Sequence, residues 1–390
     1  AVFRRRDALP AWRHAYCPHR RRGGAALRRT KNRSLNGTVS DVSKCHVVRR
    51  IHSGGDFVIA SDDHRAEFGH YIAGKIFGFG IEEFAIGFGP KLYRKQRKNG
   101  EYFSVRLLPL GGFCAFKGED EDDPDPSAFN NRKPWQRIIV LASGALMNVI
   151  TALLIIFILF AAYGQMSLLV GSEPAGEAYS FQQYDVILQA EGRNVYMTTD
   201  LMEVLDGRKE GDIVHFVVRR GGEDVEIEVK LRADAVFGSV EDASKAFEYL
   251  GVNEIYATYV RFGFFESIGR AFTYAWRIGG SIFTVLGQLL TGHLSLSAIG
   301  GPVTTVGATV SAIQNGGFAY WLEMAAFIGI NLGVFNLLPI PALDGSRIVF
   351  TAVEWIRRKP LNRKVEAIIH VAGFIFLFGF AILVDVLKLF

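Results

Sequence analysis

Two long apolar runs dominate the hydropathy of this chain. Residues 138–163 are interrupted only by the polar Ser143, Asn148 and Thr151, and residues 367–384 only by His370; neither run contains a formal charge. Runs of this length without charge predict membrane-spanning helices. A third apolar run, residues 322–350, contains Asn331, Asn336, Pro339, Pro341 and Asp344, so its helix is expected to break at the two prolines. A fourth, earlier in the chain, is damaged: Phe57-Val-Ile-Ala60 runs into Ser61-Asp62-Asp63-His64-Arg65, and charges in succession are costly in lipid.

Between these runs the pattern shortens to that of strands. Residues 84–117 read as a β loop, with Lys98-Asn99-Gly100-Glu101 as the turn; Asn-Gly there predicts a type I′ hairpin, and Gly111-Gly112 permits a second bend. Residues 166–235 form a strand-rich soluble unit in which Val225-Glu-Ile-Glu-Val229 alternates strictly, giving one wet face. Residues 236–315 follow as an interfacial amphipathic region. Its stretch 262–290 is rich in aromatics with Glu266, Arg270 and Arg277 interspersed, a pattern suited to the membrane surface. Residues 303–313 are small and suited to close helix packing.

Composition agrees with a membrane protein: of 390 residues 49% are hydrophobic. Charge is unevenly spread. Residues 1–55 carry Arg4-Arg5-Arg6, Arg20-Arg21-Arg22, Arg28-Arg29 and Arg49-Arg50 with little acid and no apolar periodicity, so this segment is expected to be disordered or a foreign stretch joined to the rest. A transit peptide and a nucleic-acid tail weigh less, and no nucleic-acid partner is assigned. The basic loop Arg357-Arg358-Lys359 to Arg363-Lys364 predicts a cytoplasmic position after the third span. Glu119-Asp-Glu-Asp-Asp123-Pro-Asp125 lacks EF-hand spacing and reads as a solvated loop. Cys17, Cys45 and Cys114 have neither disulfide nor thiolate-zinc spacing, so any metal would need His and carboxylate ligands.

The candidate chemistry lies at two places. Asp344 sits at membrane depth, where an ionisable group usually marks a function. Glu67-Phe-Gly-His70 matches the last four residues of a zinc-binding H-E-x-x-H helix, in which two His at i and i+4 share a face and the Glu polarises a water. Position 66, where the first His belongs, is Ala66. His64 is a poor substitute, because i and i+6 lie about 120° apart around a helix.

Together, E-F-G-H-Y and Asn336-Leu-Leu-Pro339-Ile-Pro341-Ala-Leu-Asp344-Gly345 resemble the site-2 protease family of intramembrane zinc metalloproteases, of the bacterial RseP type. Phe84-Ala-Ile-Gly-Phe-Gly, the run from Leu108 to Glu119, Gly144-Ala-Leu-Met-Asn148 and Gly301-Pro302-Val303 extend the likeness in the family's order, from about Ala66 to Phe390. It implies a polytopic α-helical membrane core carrying a re-entrant β-hairpin and an inserted PDZ-like domain: core residues 56–165 and 316–390, with the PDZ-like unit at 166–235. Pro174-Ala-Gly-Glu-Ala178 supports that unit, whereas the usual P-G-D before its strand is Gln183-Tyr184-Asp185.

The implied site is a zinc held by His70, Asp344 and a second His. Glu67 would serve as general base and then proton donor, with Asn336, Pro339, Pro341 and Gly345 at the substrate. The implied reaction is hydrolysis of a peptide bond in or near a substrate's transmembrane segment. Implied partners are the bilayer and membrane-protein substrates such as anti-sigma factors or signal-peptide remnants, and the implied location is the bacterial inner membrane, crossed several times. With Ala66 the zinc set is one ligand short, so the competing expectation is a pseudoprotease that binds or sequesters membrane proteins without cutting them. His370 is expected to form an interhelical hydrogen bond.

Overall fold

The computed structural model describes residues 64–119, 121, 123–171, 181–238, 240–292 and 300–387, all within one compact unit, Arg49–Phe390. The basic segment 1–55, residues 56–63 of the first span and Pro174–Ala178 lie outside the described residues. The chain opens on helix α1, residues 64–76, and leads into the long antiparallel pair β1 (Ile81–Gln96) and β2 (Tyr102–Phe116). Ala85 pairs with Ser104 on one side and Phe113 on the other, because both strands bend back, β1 near Gly87 and Gly89 and β2 near Gly111. The turn differs from the type I′ expectation. Gly100 has φ +89° while Asn99 does not take a positive φ, and Arg97 and Glu101 close the loop by hydrogen bond, which fits a type I turn with a G1 bulge.

Helix α2 (Pro134–Ala162) starts on a proline, whose missing N–H costs nothing in the first turn. It leads through Gly164 into β3 (Gln165–Val170). Next come β4 (Val186–Ala190), β5 (Arg193–Asn194), α3 (Thr198–Leu205), β6 (Ile213–Arg220), β7 (Glu223–Lys230), α4 (Lys245–Tyr249) and β8 (Ile255–Val260). The sheet order is β7-β6-β4-β3-β8, with β5 beside β4. Alternating Val214, Phe216 and Val218 on β6 and Ile227 and Val229 on β7 bury one face against Leu201 and Leu205 of α3. This unit extends past the expected boundary at 235. Leu250 and Val252 join its core and β8 pairs with β3 from Gln165↔Val260 to Val170↔Ile255, so the 236–315 region contributes α4 and β8 to this unit before α5 begins. Tyr184 adopts φ +72° at the centre of Gln183-Tyr184-Asp185. Asp185 is fully buried, accepts the Gln182 N–H at 2.8 Å and meets Arg220 at 2.7 Å.

Helix α5 (Phe264–Leu290) buries Ala271, Tyr274, Ala275, Ile278 and Ile282 and exposes Phe265, Phe272, Trp276, Phe283 and Leu290 along the opposite stripe. Helix α6 (Pro302–Leu337) kinks at Gly317. Its first backbone N–H groups, at Val303 and Thr304, donate to the Asp385 carboxylate of α8 (Arg363–Leu387). The third apolar run does not continue to residue 350 as one helix. It ends at Leu337, and a separate helix α7 (Asp344–Arg357) begins after the prolines.

Among the described residues three helices are long and apolar enough to cross a membrane: α2, the Gly317–Leu337 part of α6, and α8. Their packing relies on glycine. A Cβ on Gly333 of α6 would lie 2.7 Å from Val149 and 2.9 Å from the Ala145 carbonyl of α2, so the two backbones approach as only small residues allow.

Candidate active site

His70 is set by three features of its neighbours. Its Nδ1 lies 2.8 Å from the Val140 carbonyl of α2, and because a carbonyl only accepts, Nδ1 carries the proton. In the neutral ring Nε2 then keeps its lone pair, the form that binds a metal. Gly144 makes room for the ring: a Cβ there would sit 2.2 Å from Nε2. Gly69 does the same for the backbone, since its Cβ would lie 2.3 Å from the Ser143 carbonyl. The Gly144-x-x-x-Asn148 spacing in the sequence was the available signal for this contact.

Asp344 reaches the same place from the other end of the chain. Its Oδ2 lies 3.5 Å from His70 Nε2. Two ligands of one tetrahedral zinc, each at about 2.0–2.1 Å, stand about 3.3 Å apart, so this separation suits a shared ion. The carboxylate is delivered by a tight reversal after α6. Leu338 N–H returns to Phe335, Leu343 N–H to Ile340, and Ala342 takes φ +81°, an unfavourable conformation for a residue with a Cβ. Gly345 fits because a Cβ there would lie 2.2 Å from the Leu338 carbonyl.

Glu67, one turn before His70, accepts the Cys114 N–H at 2.7 Å through Oε2, which ties the acid to the inner end of β2. Asn336 closes α6 half-buried, Pro341 is half-buried and Pro339 exposed. Among the described residues, none of these three forms a hydrogen bond to Glu67, His70 or Asp344. Ala66 is buried, 6% exposed, and offers only a methyl. His64 does not replace it: a Cβ on Gly112 would lie 2.9 Å from His64 Nδ1, placing that ring against β2.

Two ion pairs that sequence reading missed, one buried and one partly exposed, fix the frame. Arg137 of α2 meets Glu354 of α7 at 2.7 Å, with side chains 9% and 8% exposed. Glu119, just past β2, pairs with Arg347 of α7, three residues after Asp344. Both join segments far apart in sequence, which no local pattern announces. The acidic loop is organised by its own lysine: Asp125 meets Lys117 at 2.8 Å and accepts from Ser127, and Lys117 above all holds its carboxyl well below the usual carboxylate range.

A helix carrying Glu67 and His70 that meets a carboxylate from a second helix, inside a bundle of spanning length, narrows the class to metallopeptidases of the membrane. The chain belongs to Peptidase family M50, the site-2 proteases; the family's profile matches residues 66–380. It is 32% identical over 325 residues to a Clostridium perfringens chain whose name places it with the zinc metalloproteases, covering 82% of this chain and 92% of that one. It is 28% identical over 398 residues to the zinc metalloprotease RasP of Bacillus licheniformis, covering 80% and 92%, and 27% identical over 394 residues to RasP of Geobacillus kaustophilus, covering 79% and 90%. The chain is thus a metalloprotease by family, and zinc is the metal of the class.

The residues present supply only part of a zinc site. His70 and Asp344 are spaced for one ion, but the described residues contain no group of three His, Cys, Asp or Glu side chains able to hold it. Asn148, on α2 one turn beyond Gly144, is fully buried with neither amide atom hydrogen-bonded. It is a buried polar group that the described residues leave unsatisfied.

Proposed function

We propose that this fold serves regulated intramembrane proteolysis: hydrolysis of a peptide bond in or near a substrate's transmembrane segment, in the bacterial inner membrane. The observation that carries it is the convergence of His70 Nε2 and Asp344 Oδ2 at 3.5 Å from opposite ends of the family core. Zinc supplies Lewis acidity in such a site. Glu67, with Oε2 anchored on the Cys114 N–H, is the group that takes the proton of the attacking water and returns it to the leaving amine. The β1–β2 pair acts as a re-entrant hairpin whose open edge takes the substrate in extended form, and the β3–β8 unit acts as a PDZ-like module. Asn336, Pro339, Pro341 and Gly345 line the substrate's path. Substrates are membrane proteins such as anti-sigma factors or signal-peptide remnants.

Ala66 favours a second reading for the chain as it stands: an inert pseudoprotease that binds membrane proteins without cutting them. Zinc per chain separates the two in detergent-purified protein, using Asp344→Ala as blank. Zinc at the blank level in the unchanged chain and about one per chain in Ala66→His, with cleavage of a transmembrane peptide gained alongside, supports the protease fold with one missing ligand. Blank-level zinc in both overturns the metal-site reading.

A further inference from the structure

Resting on the reading of Asp344 as a metal ligand, we propose that His370 of α8 is a positioning residue for Asp344, acting through the reversal that carries it. The Ala342 N–H donates to His370 Nδ1 at 3.2 Å. A backbone N–H only donates, so Nδ1 holds the lone pair and the neutral ring carries its proton on Nε2. That bond holds the one residue of the reversal with a positive φ, two positions before Asp344.

Two further contacts lock the clamp. The His370 ring stands edge-on to Phe350 of α7, with centroids 5.6 Å apart, so it touches both the reversal and the helix that Asp344 begins. Gly373, one turn along α8, lies so close to Pro341 that a Cβ would meet it at 2.3 Å. Helix α8 therefore presses on the reversal at two successive residues, 341 and 342. The ring's other nitrogen, Nε2, is buried without a partner, and His370 and Asp344 line one cavity of about 610 Å³. Along the rest of α8 the apolar side chains are mostly exposed, apart from Val384 beside the Asp385 contact with α6.

The role separates from mere space-filling by the choice of replacement. Phe keeps the ring and removes the acceptor, whereas the Asn side-chain oxygen stands where Nδ1 stood. In the Ala66→His chain, His370→Phe is expected to weaken zinc about 10-fold or more in chelator competition, and His370→Asn to recover to within about threefold. Equal affinity for His370→Phe and its parent, or no recovery with His370→Asn, overturns the proposal. If Ala66→His itself takes no zinc, the metal reading has failed, and hydrogen exchange over residues 338–346 of the unchanged full-length chain tests the clamp alone. Faster exchange in His370→Phe but not in His370→Asn supports it, and equal exchange in all three overturns it.

Discussion

His70 owes its usable nitrogen to atoms that are absent as much as to those present. Val140 fixes the tautomer, but Gly144 fixes the position, because any Cβ there would overlap the ring. Gly144→Ala in an Ala66→His chain should therefore lower zinc affinity by about 10-fold or more, while Gly280→Ala on α5, which meets no atom within 4 Å, should leave it unchanged. Chelator competition reads both; retained affinity in Gly144→Ala would mean that the ring is not held as described. Glu67, His70 and Asp344 were legible as candidates, and Ala66 as a departure from the motif, because each falls in a short motif. Val140 was not, since a carbonyl acceptor is defined only by what surrounds it, and Asn148 was legible as part of a motif but not as a buried amide without partners.

Helices α2 and α7 are joined by a pair of charges out of water. Breaking a buried pair strands one ion, so Arg137→Met or Glu354→Leu alone should destabilise by about 3–5 kcal/mol. The double substitution should recover most of that loss, short of about 1 kcal/mol for the Leu361 N–H, which donates to Glu354 at 2.9 Å. Unfolding midpoints in detergent measure the cycle, and additive losses would show that the two groups do not act as a pair. Hydropathy marked α2 and α8 clearly. It joined α6 and α7 into one run, in which Pro339 and Pro341 marked the break; that the next helix begins at Asp344 itself only backbone geometry reveals.

Taken whole, the chain threads a six-stranded sheet between two helices of the bundle. The antiparallel pair β3–β8 closes the sheet's neck, and Arg277 of α5 reaches the buried Asp200 of α3 at 2.6 Å, tying the sheet unit to the bundle. Three helices of spanning length among the described residues and an aromatic stripe on α5 predict that the protein stays in the membrane pellet after alkaline carbonate washing. Release into the supernatant would contradict the spanning assignment.

Sequence by itself marked the apolar runs of α2 and α8, the strand-rich insert and the motifs that make Glu67, His70 and Asp344 candidates, because hydropathy, period-two alternation and short motifs are written in neighbouring residues. Tertiary structure alone decided that His70 and Asp344, 274 positions apart by number, stand 3.5 Å from each other. It also decided that the sheet runs on to Val260, that Gly144 and Gly345 are required where they are, and that His370 holds the reversal before Asp344. Those are matters of close approach between segments distant in the chain, and steric exclusion acts in space rather than along the sequence.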